Sequence, residues 1–431
     1  MPTEFSKRRV VVTGRGMITS LGKDTEETFA KACRGASGID FISSFETRGL
    51  PCRIGGEVKN IWLDEMQDTK AQRFYKFSSR GLRLMRKATL EAAEQACLDE
   101  IKDRGRIGVA LGNHGENPSV EDIMFLHRFY HGDGTWNMNG LLKAGGYSAL
   151  NFLKRKPDVG TSILSILFDC KGPNLSIVSA CSAGAQAIGE AYRIIQEGKS
   201  DVMIAGGCES TLNFLGFVGF VLIKAMPEKY TTPQKASRPF DRKRNGFVMS
   251  EGAGTLILED MEHARSRGVP ILGELLGYGT SADAYRITDV HPKGLGATLA
   301  MRGALADASL IPEDIDYINA HGTSTIQNDA TETLAIKEVF GTRARKIPVS
   351  SNKSMLGHTI AAAGAIECIL TLVGIERSTI LPTINYEFPD PKCDLDYVPN
   401  EARIKEHRRA ISNSFGFGGQ NACLCIGGFD G

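Results

Sequence analysis

Two hydrophobic periods alternate along this chain. Short apolar runs bounded by glycine read as strands, and longer segments with apolar residues every three to four positions read as helices. Residues 8–16 (RRVVVTGRG) predict a strand entering a glycine turn. Residues 82–100, rich in Ala, Leu and Glu, predict a helix, and 107–111 the strand after it. Residues 174–180 (NLSIVSA) predict a buried strand, and 181–197 a helix. DVMIAGG (201–207) and GTLILED (254–260) predict two further strands. The longest apolar stretch, 214–223, covers ten residues, too few to cross a bilayer, and predicts a buried segment. Strands alternating with helices define the α/β class.

The second part of the chain repeats this order. ILGELLGYG (271–279) answers the opening strand, 297–309 reads as a helix, and 316–320 as the strand after it. KIPVSS (346–351) leads into a helical run at 355–374, and 411–428 parallels 249–260. Even the turns correspond, Gly112-Asn113-His114-Gly115 against Asn319-Ala320-His321-Gly322. The repeat predicts an internal duplication with halves near 1–265 and 266–431. The first half carries extra material around 113–165.

Composition narrows the function. With 51 basic and 50 acidic residues, the net charge of +1 gives no electrostatic case for nucleic-acid or membrane-surface binding. The first twenty residues hold too short an apolar run for a secretory signal. Ten cysteines are scattered with no C-x-x-C, which suits a cytoplasmic protein with reduced thiols. Glycine is in excess: 48 of 431 residues is about 11%, against a usual value of about 7%.

Candidate chemistry gathers at strand ends. Cys181 directly follows the strand LSIVSA and opens a helix whose first turn is Ser182-Ala183-Gly184-Ala185. A thiol at a helix N-terminus meets unpaired N–H groups and the positive dipole end, which favour thiolate. A buried structural cysteine is the competing reading. His321 in NAHGTSTIQND and His358 in SSNKSMLGHTIAAAGAIE occupy comparable turns, with Lys353 and Glu367 on either side of His358. The GFGG turn at 416–419 follows the strand ISNS, so its N–H groups suit either an oxyanion hole or a plain tight turn. Metal-ligand spacings are absent, as are G-x-G-x-x-G and the phosphate-loop pattern, so no metal or nucleotide cofactor is expected. His114, His127, His131, His263, His291 and His407 read as surface or loop residues.

Together, VSACSAG, NAHGTST, NKSMLGH and SNSFGFGG resemble the β-ketoacyl-acyl carrier protein synthases, most of all their synthase II type. RRVVVTGRGMITSLG, AGGCES, ASRPFDRKRNGFVMSEGAGTLILED and LPTINYEFPDPKCDLDYVPN resemble the same family, and the likeness is weakest over 113–165. It implies a duplicated thiolase-like fold in five α-β-α-β-α layers, assembled as a homodimer. It implies Cys181 as the acyl-carrying nucleophile and His321 and His358 as the pair for decarboxylation and condensation. Lys353 would act on His358 electrostatically beside Glu367, with Asp329 and Glu332 in support. The N–H groups of Cys181 and Phe417 would form the oxyanion hole, Phe417 would also be the gate, and Thr323 and Thr325 would bind the phosphopantetheine arm. That arm arrives on the acyl carrier protein, so no resident cofactor is implied.

Departures from the family leave other readings open. Ile326-Gln327-Asn328-Asp329 resembles the ketosynthases of type II polyketide systems, which use the same chemistry and work as heterodimers. A non-catalytic chain-length partner would lack the cysteine. A degradative thiolase would need a second cysteine near the C-terminus, where Cys423 and Cys425 stand. Phe217 is larger than the family's usual residue, which leaves acyl length open. Arg73 and Lys224 are candidate contacts for an acidic carrier protein. The glycines at 112, 115, 322, 357, 416, 418 and 419 fall at strand-end turns, and Gly184 and Gly364 in two equivalent helices. Their expected role is to clear room for a thioester arm.

Overall fold

The computed structural model describes residues 7–64, 74, 76–145 and 149–429. Its first half supplies strands β1 (Val10–Thr19), β2 (Ile107–Gly112), β3 (Asn174–Ile177), β4 (Val202–Glu209) and β5 (Gly252–Asp260). The second supplies β6 (Gly273–Ala282), β7 (Tyr317–Asn319), β8 (Val349–Ser350), β9 (Arg409–Gly416) and β10 (Gln420–Gly427). Their order across the sheet is β8-β7-β9-β10-β6-β1-β5-β4-β2-β3. From the middle outwards both halves read the same, and the directions match: two antiparallel pairings, then two parallel ones. The halves are joined by backbone pairing of Val10, Val11 and Val12 with Leu275, Glu274 and Gly273.

Helices follow the same plan. The first half carries α1 (Arg80–Gln95), α2 (Val120–His127), α3 (Met138–Ala144), α4 (Ala149–Leu153), α5 (Asp158–Leu167), α6 (Ala183–Gln196) and α7 (Phe214–Leu222). The second carries α8 (Leu295–Asp307), α9 (Ile326–Phe340) and α10 (Ala363–Glu376). Alternation along the strands sorts the layers, because successive side chains face opposite sides of a sheet. Leu256, Leu258, Leu424 and Ile426 pack into one cluster with α6 and α10. Ile257 packs outward with α1, and Cys423 and Cys425 pack outward with α8 and α9. The layers are therefore helix, sheet, helix, sheet, helix, with α6 and α10 in the middle.

Glycine lets those two central helices meet. A Cβ on Gly184 would lie 2.6 Å from the Ala361 carbonyl oxygen, and one on Gly364 2.7 Å from the Ala185 Cβ. These glycines serve helix contact rather than clearance for a thioester arm.

Several expectations change. β3 is an edge strand with alternately exposed and half-buried residues, not a buried one. The apolar run at 214–223 forms α7, yet within it only Gly216 and Phe217 are buried. Apolarity alone does not report burial in a segment that forms part of a surface. The 82–100 helix ends at Gln95, and a separate 3-10 turn follows at Leu98–Glu100. Only β10 answers 252–260; residues 409–416 answer β4, so GFGG is the tip of a hairpin. His407 is 2% exposed, whereas His114 and His263 are bonded to Glu209 and Glu259, both at 2.6 Å.

Candidate active site

Two equivalent turns present the reactive residues. Cys181 lies in a 3-10 turn, Ala180–Ser182, immediately before α6, so the helix proper begins two residues later than expected. A matching turn, Ile360–Ala362, precedes α10 and follows His358. Ala180 and Ile360 take positive φ values of 48° and 46°, conformations that cost non-glycine residues about 1–3 kcal/mol. His321 stands just after β7, between the strand and α9.

The three side chains converge from both halves. One donor atom each from Cys181, His321 and His358 lies within 4.8 Å of the others, and all three residues are buried. The imidazoles meet edge to face, with ring centres 5.4 Å apart at 82°. They sit at the inner end of a cleft of about 670 Å³ that Thr323, Thr325, Gln327, Asn245 and Phe417 also line. Lys224 lines the same cleft and is exposed, whereas Arg73 lies outside the described residues.

Behind the histidines lies an ionic layer. Lys353 and Glu367 form a buried salt bridge, each 2% exposed. Glu332 accepts the backbone N–H groups of His321 and Gly322, both at 2.8 Å, and the Asn413 amide at 3.2 Å. Asp329 accepts the Phe240 N–H at 2.7 Å, with the Arg244 guanidinium 3.6 Å away. Thr325 caps α9, and its hydroxyl meets that of Thr323 at 3.0 Å. Asn413 and Phe247, whose ring centre lies 5.2 Å from that of His358 in an edge-to-face arrangement, had no assigned role in the sequence. Both lie in segments that match the family, so position in a motif was their only signal.

Burial sets the protonation states. It pushes the Cys181 thiol up to about 12, against the opposing pull of Lys353 and the Phe417 N–H, so dipole stabilisation does not produce a resting thiolate. Both histidines fall well below their usual value, through burial first and the Lys353 charge second. Burial raises the Glu332 carboxyl to about 7 despite its three donors. The resting site is therefore a neutral thiol beside two neutral imidazoles. Cys, His and His are also a metal-ligand set in kind, but the neighbouring Lys353 charge opposes a second cation.

Beyond the thiol, Phe217 is buried in the cluster that contains Cys181, with its ring 5.5 Å from that of Phe45. A separate groove is lined by Gly216, Gly219 and Phe220 but not by Phe217, which occupies another face of α7. Cys423 and Cys425 do not line the cleft, which removes the geometric basis for a thiolase-type second cysteine.

The chain matches the family description "Beta-ketoacyl synthase, N-terminal domain" over residues 7–264 and "Beta-ketoacyl synthase, C-terminal domain" over 272–387. It belongs to the beta-ketoacyl synthase family. It is 40% identical over 434 residues to 3-oxoacyl-[acyl-carrier-protein] synthase 2 of Coxiella burnetii, covering 98% of this chain and 99% of that protein. It is 41% identical over 426 residues to the protein of the same name from a Synechocystis species, covering 98% of each. Among solved structures, it resembles a type II polyketide ketosynthase in complex with its acyl-carrier protein bound to the hexaketide. That match has a TM-score of 0.86 and 32% identity, over 98% of this chain and 100% of the other. A beta-ketoacyl synthase from Burkholderia phymatum matches with a TM-score of 0.85 and 33% identity, over 98% and 100%. This beta-ketoacyl synthase thus keeps the family's two-part organisation along nearly all its length.

Proposed function

We propose that this chain is a 3-oxoacyl-[acyl-carrier-protein] synthase of fatty acid biosynthesis. It condenses an acyl group held on Cys181 with malonyl-acyl carrier protein, releasing CO₂. The convergence of Cys181, His321 and His358 at the end of an open cleft carries this reading.

Acyl transfer begins when the Cys181 sulfur attacks the thioester carbonyl. Its proton passes to a neutral imidazole and then to the departing carrier thiol, so no thiolate need exist at rest. The backbone N–H groups of Cys181 and Phe417, both of which favour negative charge on the sulfur, receive the carbonyl oxyanion. In the second half-reaction the malonyl C–C bond breaks, CO₂ leaves, and its electron pair forms the thioester enolate. His321 and His358, kept neutral, stabilise that oxygen as hydrogen-bond donors. The enolate carbon then attacks the acyl carbonyl, the Cys181 sulfur leaves with the C–S electron pair, and it takes up a proton from solvent, the one proton that decarboxylative condensation consumes. Thr323 and Thr325 bind the phosphopantetheine arm that arrives with each substrate, and no resident cofactor takes part.

The active assembly is a homodimer in the cytoplasm. Among the described residues β3 is an edge strand, and Val178 just after it is an exposed apolar residue, as are Ile123, Phe152 and Leu222 elsewhere in the first half. Pairing two such edges would satisfy the backbone and cover the apolar surface. Ten unpaired cysteines fit a reducing compartment. Among the described residues, no helix is long and apolar enough to cross a membrane.

Cys181→Ala is expected to abolish both acyl-enzyme formation and condensation. Condensation retained by that variant would overturn the mechanism. The second reading, a type II polyketide ketosynthase, draws on Ile326, Gln327 and Asn328, which line the cleft, and on the polyketide structural neighbour. Incubation with malonyl-loaded carrier proteins of each type separates the two by product length.

A further inference from the structure

The duplication gives the first half its own counterpart of the His321 turn. β2 and β7 both lie fourth from the middle of the sheet, one in each half. His114 stands two positions past the end of β2, as His321 does past the end of β7. β2 runs parallel to β4 with Gly112 opposite Gly207, so two positions on His114 comes opposite Glu209, the last residue of β4. Both glycines lie under the first turn of α6. A Cβ on Gly112 would stand 2.3 Å from the Ala183 carbonyl carbon, and one on Gly207 3.0 Å from the Gly184 Cα. Side chains two apart on a strand share a face. Glu209 therefore faces the layer that holds α6 and the Cys181 turn, whereas Cys208, between Gly207 and Glu209, packs outward with α1.

The Glu209 side chain is 1% exposed, and the His114 Nδ1 bonds it at 2.6 Å. Other charges on the adjoining elements have partners of their own. Glu116, in the His114 loop, accepts the Arg80 backbone N–H at 2.6 Å. The Arg80 guanidinium bonds Glu251 at 2.6 and 2.7 Å, and Arg155 is bridged to Asp122. Among the described residues His114 is the one ion-pair partner of Glu209. Burial opposes a second proton on the imidazole, but the hydrogen bond and charge of Glu209 prevail and hold its pKa above the ordinary value. The Glu209 charge also reaches the Cys181 thiol, where it opposes ionisation and Lys353 favours it.

We infer that His114 is a positioning residue for acylation, whose imidazolium offsets the buried Glu209 carboxylate so that the Cys181 sulfur can gain negative charge as it attacks a thioester. The inference rests on the proposed role of Cys181 as the acylated nucleophile. Neither His114 nor Glu209 lines the catalytic cleft. The pair acts through the potential at the sulfur, which buried surroundings screen far less than water does. The main charge bearing on His321 and His358 is that of Lys353, so the decarboxylation half-reaction lies outside the pair's reach. In one half of the chain the histidine of this turn meets the substrate, and in the other its counterpart holds a carboxylate in check.

The test follows the net charge of the pair. Acyl-enzyme formation from hexanoyl-pantetheine is timed by intact protein mass at about pH 6.5, below the raised imidazole value. Release of CO₂ from malonyl-pantetheine is the second readout. His114→Asn removes the cation and keeps an N–H donor in the place of Nδ1. It is expected to slow acylation about tenfold, the effect of one unit in the thiol pKa, with CO₂ release unchanged. Adding Glu209→Gln to that variant should restore most of the parental acylation rate. Glu209→Gln alone should not slow acylation, because an uncharged pair burdens the sulfur no more than a balanced one. An unchanged rate in His114→Asn overturns the inference. Slowing by Glu209→Gln as severe as by His114→Asn, or equal loss of both half-reactions, also overturns it, because the pair would then be structural only. His114→Gln takes over if His114→Asn does not fold. If the parent protein forms no acyl-enzyme, the functional reading fails instead.

Discussion

The Nδ1 atom of His358 accepts the backbone N–H of Ile360 at 3.3 Å. An accepting Nδ1 places the ring proton on Nε2 in the neutral imidazole, and Nε2 is buried without a partner among the described residues. The backbone thus sets the tautomer and points a donor at the place where enolate charge would develop. His358→Ala should lower malonyl decarboxylation by about 10²–10³-fold, the usual cost of one such donor. Acylation of Cys181 should persist. Parallel assays of CO₂ release and of intact protein mass read the two steps separately, and equal loss of both would refute this division.

Because burial pushes the Cys181 thiol up to about 12, alkylation should be slow at neutral pH. Below that value the thiolate fraction rises tenfold per pH unit, so iodoacetamide inactivation should accelerate about tenfold from pH 7 to 8 and again from 8 to 9. A rate that plateaus below pH 9 would contradict a buried neutral thiol.

Lys353 and Glu367 are balanced only as a pair. Lys353→Met would leave the Glu367 carboxyl buried without its cation, a change that typically costs about 3–5 kcal/mol. Burial already raises the folded-state value of Glu367 above its ordinary one, and losing Lys353 raises it further. The folded state then holds the proton more tightly than the unfolded chain. The variant's deficit should therefore be small below about pH 4.5 and grow as pH rises through the folded-state value. Urea unfolding at pH 4.5 and pH 8 measures it, and Lys353→Met combined with Glu367→Leu should recover much of the loss.

Gly184→Ala would drive a Cβ to 2.6 Å from the Ala361 carbonyl oxygen, where backbone must move. It should destabilise the protein by about 1–3 kcal/mol and reduce turnover, because α6 carries the nucleophile's turn. Gly303→Ala in α8 is the control. Its nearest neighbour would be the Gly279 Cα at 3.4 Å, so it should gain about 0.4–1 kcal/mol. Thermal midpoints compared side by side distinguish local crowding from a general sensitivity to replacing glycine.

The sequence made the duplication legible because strand and helix periods depend on local pattern, and the same pattern occurs twice. It also placed Cys181 and His321 just after strands, where they stand, whereas a short helix, Lys353–Leu356, separates His358 from β8. Three features were not readable from local pattern. Burial of 214–223 depends on what packs against it, and an apolar helix at a surface looks like one in a core. The protonation of Cys181 depends on desolvation by residues distant in sequence, such as Ile54, Phe217, Phe247 and Ile360, which outweighs the dipole visible from residues 181–185. Gly184 and Gly364 suggested space for a ligand, but their neighbours are each other's helices, a contact 180 positions apart.

The matching turns before α6 and α10 place Ala361 where Cys181 stands in the first half. Two identical subunits related by a dyad must carry the same side chain at equivalent positions, so a thiol on one would require a thiol on the other. A single chain that contains the motif twice has no such obligation. One copy can specialise as the group that is acylated, and the other as the bed of small residues on which it rests. The asymmetry that the chemistry needs is thus written into covalent continuity rather than into any unequal association of protomers.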